Sequence, residues 1–491
     1  MTDPLAAPAV PQPGFHTDSA SDWHRVHPAS PAIRGWLAVV AVAVIFGRSF
    51  FEQLFQEGIS GRAGGAGIPW WIVALVVGGA VLVFGVAFVL SWYFTRYQVT
   101  DDHVRINSGF IFRQQRQARI DRVQAIDVVQ PLLARIFGLA ELKFEVADSG
   151  KSAMKLSFLK LDEAKRLRAA ILARAAGVRV DPENATAVEE APEQQVLQIP
   201  PARILGSIVA SELTLVLLLV AAGLVVLASL GWWGALFGLL PVLLALGGGY
   251  WQRFSKDFNF RIATSPDGVR LHYGLLETRA QTIPPGRVQA VGISQGPVWR
   301  IFGWYRIHLN VAGYGDSQHE NRSTLLPVGN LQDVFAVLGL IFADPGVPDP
   351  HDVFTAALRG TGTAGGFRHS PGRARWVDPI AWRRNAFRAT ETALLCRHGV
   401  FFRNLQVVPH ERTQSLQLNQ GPVQRLLGLA DFELHSTPGP VKPVVHHMDL
   451  ATARELFLAQ AARAAKARRL ARPERWMQSQ DDQAEKPSGN D

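Results

Sequence analysis

The sequence predicts α+β modules, each an antiparallel run of strands closed by a C-terminal helix, carried on a four-span transmembrane α-helical region. Three observations predict this fold: a pattern of six residues that occurs three times, a repeated order of strands and then a helix, and two apolar blocks. Strands followed by a helix are typical of the α+β class.

The repeated pattern is Gly, Arg, Gln, Gln, Arg and Gly with constant spacing. Its three copies are Gly109, Arg122, Gln124, Gln130, Arg135, Gly138; Gly274, Arg287, Gln289, Gln295, Arg300, Gly303; and Gly399, Arg412, Gln414, Gln420, Arg425, Gly428. Self-similarity held at six positions indicates a triplicated module.

The third copy shows the clearest order of elements. We expect strands over Glu391–Arg397, Val400–Val408, Arg412–Leu418 and Ala430–Ser436, with a turn at Gly399 and a short helical turn over Val423–Gly428. A long helix follows over Leu450–Arg468, for which Asp449 is the expected N-cap. The first copy repeats this order up to a closing helix over Asp162–Ala176, and the second ends in a helix over Leu331–Phe342.

The apolar blocks predict four spans, because about 20 apolar residues cross the hydrocarbon of a bilayer. The expected spans are Trp36–Phe55, Pro69–Phe94, Ile204–Leu230 and Trp232–Trp251, arranged as two hairpins. Arg48, Glu52 and Glu212 are the ionisable residues in them. They are read either as interfacial or paired residues or as part of a transport path.

Arginine and lysine place the modules on the cytoplasmic side. Basic residues flank both hairpins on the module side, whereas the outer turns carry only Arg62. We therefore expect a multi-pass protein of the inner (plasma) membrane with cytoplasmic N- and C-termini.

The predicted domain boundaries follow from these segments. They are a leader 1–34, a transmembrane hairpin 35–95, module 1 over 96–177, an acidic linker 178–202, a second hairpin 203–252, module 2 over 253–343, a flexible linker 344–378, module 3 over 379–470 and a disordered tail 471–491.

The order of elements resembles the pleckstrin-homology superfold. The segments 408–415 and 420–429, together with the paired spans before a module, resemble the bacterial pleckstrin-homology-like membrane-flanked domain family of the YdbT type, here in three copies. The resemblance implies pleckstrin-homology-like modules and little about function. The second copy departs from the motif, with Pro284-Pro285-Gly286 before Arg287.

The repeated polar side chains are the candidate binding residues: Arg122, Gln124, Arg287, Gln289, Arg412 and Gln414. A guanidinium suits a phosphate or a lipid headgroup. The alternative is that these side chains tie a strand to the short helix through backbone carbonyls, which is a structural role.

Other classes of function find little support in the sequence. Its one cysteine, Cys396, lies in an apolar run and is expected to be a buried hydrophobe, and His435, His446 and His447 lack the spacing of a metal site. We expect no enzyme, catalytic residue, metal or cofactor. The net charge of +9 comes without a basic recognition helix, so nucleic acid is not an expected partner.

Two functions remain as hypotheses. The first is a membrane scaffold that presents its modules to protein, peptide or lipid, with membrane lipid and either a protein partner or a homo-oligomer as partners. The alternative is a subunit of a transport or export system with the modules as regulatory domains. A membrane-bound hydrolase is a third class, for which no nucleophile and base are found.

Overall fold

The structure is a computed structural model of the chain. It describes residues 23–30, 33, 70–100, 103–109, 113–120, 123–146, 154–175, 193–265, 268–284, 286–312, 323–342 and 344–470. Most of the predicted leader, the first predicted span with Arg48 and Glu52, and the tail 471–491 lie outside the described residues. The chain divides into two compact units, Met1–Arg119 and Ile120–Asp491.

Within its described residues, the first unit contains one long helix and a four-stranded antiparallel sheet. These elements are β1 (His24–Arg25), α1 (Trp70–Tyr93), β2 (Arg96–Val99), β3 (His103–Ser108) and β4 (Gln114–Arg119), with the strand order β1-β2-β3-β4. The indole of Trp92 donates a hydrogen bond to the carbonyl of Val26 at 2.8 Å, which ties the end of α1 to the segment after β1.

The second unit begins with the C-terminal half of module 1 and the whole of module 2. Its elements are β5 (Val123–Pro131), α2 (Leu132–Ile136), β6 (Leu139–Val146), β7 (Met154–Lys160), α3 (Leu161–Ala175), β8 (Gln194–Gln198), α4 (Pro201–Val209), α5 (Glu212–Ser229), α6 (Leu239–Asp257), β9 (Arg261–Ser265), β10 (Gly268–Tyr273), β11 (Glu277–Ile283), β12 (Val288–Gln295), α7 (Trp299–Phe302), β13 (Tyr305–Val311), β14 (Thr324–Gly329) and α8 (Leu331–Ile341).

Module 3 follows in the same order. Its elements are α9 (Pro350–Arg359), β15 (Arg368–His369), β16 (Ala386–Ala389), β17 (Ala393–His398), β18 (Arg403–Pro409), β19 (Ser415–Asn419), α10 (Pro422–Leu426), β20 (Leu429–His435), β21 (Val444–Asp449) and α11 (Leu450–Leu470). The chain is therefore built of α+β modules with antiparallel sheets and closing helices, as the sequence predicts.

Two strand boundaries in module 3 differ from the sequence prediction. The strand expected over Arg412–Leu418 begins only at Ser415, because His410–Arg412 form a 3-10 turn. The returning strand begins at Arg403 and not at Val400. The expected N-cap of α11 is confirmed, since Asp449 Oδ2 accepts the amides of Ala451 and Thr452 at 3.1 and 3.2 Å.

The sheets run across the module boundaries. One seven-stranded sheet has the order β7-β6-β5-β11-β10-β9-β8, and a second has the order β14-β13-β12-β18-β17-β16-β15. In each, the last three strands of one module pair with the first four of the next. The domain boundaries that we predict divide the chain into consecutive modules. In the structure, backbone hydrogen bonds join strands of neighbouring modules across those boundaries.

Both faces of the second seven-stranded sheet are buried. On strand β17, Leu395 packs into the core that contains Ile307 and Val337 of module 2, whereas Leu394 and Cys396 pack into the core of module 3 with Phe432. Successive side chains of a strand point to opposite faces, so one strand serves two cores.

The segment 344–378, for which composition predicts a flexible linker, is folded. Helix α9 buries Val353, Phe354, Ala357 and Leu358 against the core of module 2. Two buried arginines, Arg384 in the turn before β16 and Arg397 on β17, hold the C-terminal end of α9. Glycine and proline dominate the composition of this segment, but the four apolar residues of α9 decide its structure.

The two buried arginines bind backbone carbonyls. Arg397 donates to the carbonyls of Ala356, Gly362 and Arg384 at 3.0, 2.7 and 3.2 Å. Arg384 donates to the carbonyls of Leu358 and Gly360 at 2.8 and 2.5 Å. The bond from Arg384 to Leu358 satisfies a carbonyl that the end of α9 leaves unpaired within the helix, and the bonds from Arg397 tie α9 to the chain at Gly362 and Arg384.

The predicted third span is two helices. The segment begins with α4, which buries Ile204 and Ile208 in the core of module 2. The helix is then interrupted at Ala210 and Ser211 before α5 begins. The fourth predicted span, Trp232–Trp251, is a 3-10 turn over Trp233–Gly238 followed by α6. The prediction treated the whole apolar block as spans, although part of it belongs to a module core.

One helix among the described residues, α5, has the length and apolar composition needed to cross a membrane. Only 6% of its apolar window is buried, which distinguishes it from the core helix of a soluble protein. In place of the four spans that we predict, the described part of the chain thus has this one candidate span.

We expect Arg397→Met to loosen α9, because the substitution removes the three hydrogen bonds by which one guanidinium joins the carbonyls of Ala356, Gly362 and Arg384. A loss of about 2–4 kcal/mol in local stability is the expected scale for several charged hydrogen bonds. Limited trypsin digestion of the purified chain should show faster cleavage at Arg359, which is exposed at the end of α9. Arg375→Met, which removes a guanidinium lying over the Trp376 ring at 5.5 Å on the surface, is the matched control and should leave that rate unchanged. Equal cleavage in both variants would contradict the assigned role.

Candidate functional site

The glycines of the repeated pattern all occupy the left-handed region. The first glycine of each copy has φ of 98°, 111° and 77°, and the last has φ of 64°, 65° and 62°. These values fall where a side chain is strained, so glycine is required at both positions. At Gly274 and Gly399 an added Cβ would also lie about 2 Å from a backbone oxygen.

The second glutamine of the pattern makes the same bond in all three copies. Gln130, Gln295 and Gln420 donate from Nε2 to the carbonyls of Leu139, Trp304 and Leu429 at 3.0, 3.1 and 2.7 Å. Each bond ties the end of one strand to the start of the next across the short helix. This half of the pattern is structural.

The candidate binding residues of the first two copies are not gathered into one site. Arg122 lies outside the described residues, and Gln124 lies on β5, where its side chain is outside what the structure describes. Gln289 is buried and donates to the carbonyl of Arg287 at 3.4 Å. Arg287 is half-buried, and its carbonyl also accepts the amide of Ala312 at 2.9 Å.

In the third copy, the arginine lines a cavity and the glutamine does not. Arg412 Nε lies 3.1 Å from Glu411 Oε1, and its side chain borders a cavity of about 710 Å³. Gly286 and Val288, which flank Arg287, border the same cavity, so the pattern of module 2 meets that of module 3 there. Gln414 is exposed and is not among the lining residues.

The cavity is mixed in charge. Arg412, Arg463 and Lys466 are its cations, and Asp344, Glu391 and Glu411 are its anions. Arg463 Nη1 is buried and has no hydrogen-bond partner within the described part of the chain. Such a lining suits a polar peptide segment better than a simple anion, because the opposite charges cancel.

A buried histidine, His410, forms part of the cavity wall. His410 Nε2 lies 3.0 Å from the carbonyl of Thr390, and its Nδ1 lies 3.0 Å from Gln460 Nε2. With the first nitrogen donating and the second accepting, the ring is neutral. Burial, helped by the charge of Arg463, lowers the pKa of His410 below 6.5.

A second cavity, of about 560 Å³, lies between the C-terminal half of module 1 and the first strands of module 2. At the edge of this cavity, Arg270 donates to Glu193 at 2.7 Å. Burial has the largest single effect on the pKa of Glu193 and raises it, but the pairing with Arg270 contributes to a net lowering. Glu193 falls within the predicted acidic linker 178–202, but in the structure it directly precedes the edge strand β8. Residues 178–192 lie outside the described chain.

Exposed apolar side chains recur on the short helices. The residue after the second arginine of the pattern is Ile136, Ile301 or Leu426, with exposed fractions of 69%, 80% and 88%. At the second junction, Phe302, Phe401 and Phe402 are exposed beside Ile301. We call Ile301, Phe302, Phe401 and Phe402 the junction patch.

Two arginines border the junction patch. Arg300 donates from Nη2 to the carbonyl of Phe401 at 2.6 Å, so the short helix of module 2 contacts the turn of module 3. Desolvation and the neighbouring Arg403 lower the pKa of Arg300. The Nε atoms of both arginines are buried and lack a hydrogen-bond partner among the residues described. Two adjacent cations with unused donors favour an anionic group.

The junction patch is close to α4, from which the apolar hairpin α5–α6 begins. We call this end of the hairpin its root. Trp299 on α7 donates to the carbonyl of Ser207 on α4 at 3.1 Å, and Phe302 stacks on Trp304 with ring centroids 4.7 Å apart. Trp304 in turn contacts α4 at Gly206. Thr214 on α5 and Tyr250 on α6 join the two helices at the root, with their hydroxyl oxygens 2.6 Å apart.

Sequence reasoning missed Arg300 and Arg403 as a pair, and His410 with Gln460 as a buried network. The first pair is 103 positions apart in the chain and meets only because β12 pairs with β18. The repeated apolar residue after the second arginine was the available signal for the patch. Within the described ranges, no group of three or more His, Cys, Asp and Glu residues could hold a metal.

Comparison with known proteins agrees with the repeat. The family profile described as Bacterial PH domain (bPH_2) matches residues 37–175, 200–341 and 366–464, and each match contains one copy of the six-residue pattern. The UPF0699 transmembrane protein YdbT of Bacillus subtilis (strain 168) is 25% identical over 276 residues, which are 50% of this chain and 55% of that protein. The chain thus spans about half the length of this curated relative.

Gln420→Ala should destabilise the start of β20, because the carbonyl of Leu429 loses its donor. The expected cost is about 1–3 kcal/mol for an unsatisfied, partly buried group. Hydrogen exchange at the amides of Leu429–His435 in the full chain measures it. Gln414→Ala, which removes the exposed glutamine of the same copy, is the control and should change protection by less than about 0.5 kcal/mol. A similar effect of both changes would contradict the distinction.

The stability of module 3 should fall as the pH drops below 6.5, the ordinary pKa of a histidine. The unfolded chain then binds a proton that the folded chain, with its lower His410 pKa, does not, so acid favours unfolding. Urea midpoints of the detergent-solubilised chain at pH 7 and pH 5 should differ more in the wild type than in His410→Gln. Equal differences would show that His410 does not titrate on unfolding.

Proposed function

Because the chain belongs to the bacterial PH domain family, with three copies, we propose that it is an integral membrane scaffold that presents PH-like modules to protein, peptide or lipid partners. The relative from Bacillus subtilis is named a transmembrane protein, and α5 has the properties of a span. The observation that carries the proposal is the rigid connection between an exposed apolar hairpin and a module.

The hairpin α5–α6 has the surface of a membrane anchor. Its helices expose large apolar residues, among them Leu219 at 73% and Leu244 at 68%. Trp232 and Trp233 at its tip are exposed at 74% and 69%, where indoles suit the headgroup region. Helix α1, with 24 residues and exposed Leu75 and Leu82, supports a second anchor of the same kind.

The root of the hairpin fixes module 2 at the membrane. Helix α4 continues into α5 after two residues and buries Ile204 and Ile208 in the module core. Arg203 on α4 binds Asp333 of the closing helix α8 at 2.8 Å. A module held at both its short and its closing helix cannot rotate freely about a linker, so it keeps one face toward the lipid.

We assign the junction patch to that face. Four exposed apolar side chains bordered by two arginines with unused donors have the chemistry of a lipid interface, in which rings enter the acyl boundary and guanidinium groups bind phosphate. The patch adjoins the hairpin root through Trp304. Its lipid contact would orient the neighbouring module 3 as well.

The cavity at Arg412 is the candidate site for a soluble partner. It opens between modules 2 and 3, is lined by both signs of charge, and has a volume in the range of ligand sites. A membrane anchor raises the effective concentration of this site for a partner near the membrane. The excess of arginine and lysine on the module side of the hairpins supports a cytoplasmic location.

The transport alternative receives no support from the described spans. Glu212 is the one ionisable residue of α5, and it stands at the first residue of the helix, beside Gly296 of module 2. A carboxylate at the root belongs to the connection with the module. A conducting path needs polar groups at mid-depth.

An environment-sensitive probe on the junction patch tests the proposal. In proteoliposomes, an NBD label on Ile301→Cys should emit at shorter wavelength than in water, and lipids with a doxyl group near the headgroup should quench it. The native Cys396 does not compete for the label, because burial raises the pKa of its thiol to about 12. Arg454→Cys, an exposed position on α11, is the control and should report water.

Two outcomes separate the parts of the proposal. Equal emission from both labels would overturn the lipid contact of the patch while leaving the anchor untouched. A membrane-impermeant maleimide that reaches Arg454→Cys from outside intact cells would instead overturn the cytoplasmic placement.

A further inference from the structure

Two strand edges at the ends of this chain match each other. Strand β4 pairs only with β3, and β19 pairs only with β20, so each has one edge without a partner strand among the described residues. Their counterparts inside the chain differ. The counterparts of β4 are β11 and β18, those of β19 are β5 and β12, and these four strands pair with one another as β5 with β11 and β12 with β18.

The two internal junctions use the same register. In the first, Thr278 lies opposite Gln130, and in the second, Arg403 lies opposite Gln295. Both pairs place the fourth residue after the first glycine of one module against the second glutamine of the preceding module. The next pairs agree as well: Arg279 with Val129, and Asn404 with Ser294. A register that recurs at both junctions is a property of the repeat.

We propose that β19 of one chain pairs with β4 of a second copy in this same register, which joins copies head to tail. The rule places Arg113 opposite Gln420, Gln114 opposite Asn419 and Arg116 opposite Gln417. The contact repeats an interface that the chain already makes twice within itself. An unpaired edge has a row of amide and carbonyl groups ready for such pairing.

The remaining free edges do not have this property. Within the described residues, strands β1, β7, β8, β14, β15 and β21 also end their sheets, but no copy of the module pairs the corresponding edge with another strand. The proposal therefore concerns the two edges whose counterparts are occupied at both internal junctions. A second copy is the occupant that these edges fit, because it carries the complementary edge.

Charge favours the proposed register. Strand β4 carries Arg116, which takes the place opposite Gln417, and Gln417 pairs with Glu433 on β20. The guanidinium and the carboxylate thus fall in one cross-strand row, one strand apart. The first internal junction also has opposite charges across it, with Lys143 Nζ 3.9 Å from Glu277 Oε1. Complementary charges fix register more than they add affinity.

The short helix completes the junction. At the second junction, Arg300 donates to the carbonyl of Phe401, two residues after Gly399. The corresponding arginine at the end of the chain is Arg425, which is exposed on α10.

Mixing two chains, each with one cysteine added to the buried native Cys396, tests the pairing in detergent, independently of the membrane orientation. Chains with Arg116→Cys and chains with Gln417→Cys are mixed and oxidised. Residues opposite each other in an antiparallel sheet have Cα atoms about 4.5–5.5 Å apart, within the range of a disulfide. The expected product is a disulfide-linked dimer that contains one chain of each kind. Both positions are exposed, so the substitutions leave the core intact.

Controls set the register and the direction. Arg116→Cys mixed with Ser415→Cys is displaced by two residues and should give at least several-fold less dimer. Either single variant oxidised alone should give no dimer through this contact. Equal yields in register and out of register overturn the proposal, as does the absence of a mixed dimer. A chain with both cysteines that forms only an internal disulfide also overturns it, because the edges then meet within one molecule.

Discussion

The backbone hydrogen bonds between β5 and β11 and between β12 and β18 are the interaction on which the rest of the structure depends. They join successive modules into shared sheets, and the junction patch and the cavity at Arg412 both lie where two modules meet. The junction patch combines a short helix of module 2 with a turn of module 3. The cavity at Arg412 has walls from the same two modules. Neither exists in an isolated module.

The sequence predicts most of what is local in this fold. Glycine at Gly399 and Gly428, the cap at Asp449 and the closing helices follow from spacing and residue type, because each depends on neighbours within a few positions. The sharing of sheets could not be predicted, because edge pairing uses backbone groups that all residues carry. Helix α9 could not be predicted for a related reason. Its four buried residues are stabilised by the core of module 2, which is distant in the sequence.

The candidate site was predicted in part. Arg412 lines a cavity, whereas Gln289 is buried and Gln414 points to solvent, so the repeated polar residues do not share one role. The structural interpretation holds for Gln130, Gln295 and Gln420, each of which closes the same short loop. Arg300 and Arg403 could not be found together from the sequence, since only the pairing of β12 with β18 brings them into contact. The apolar blocks were read as spans alone, although Ile204 and Ile208 belong to a core.

The constant register of the junctions has a consequence for how such chains change their length. A gene duplication that inserts one more repeat between two existing ones presents the new segment with an edge that fits on either side. Losing a repeat leaves the flanking ones able to join directly. The number of modules can therefore rise or fall over evolutionary time without redesign of any interface.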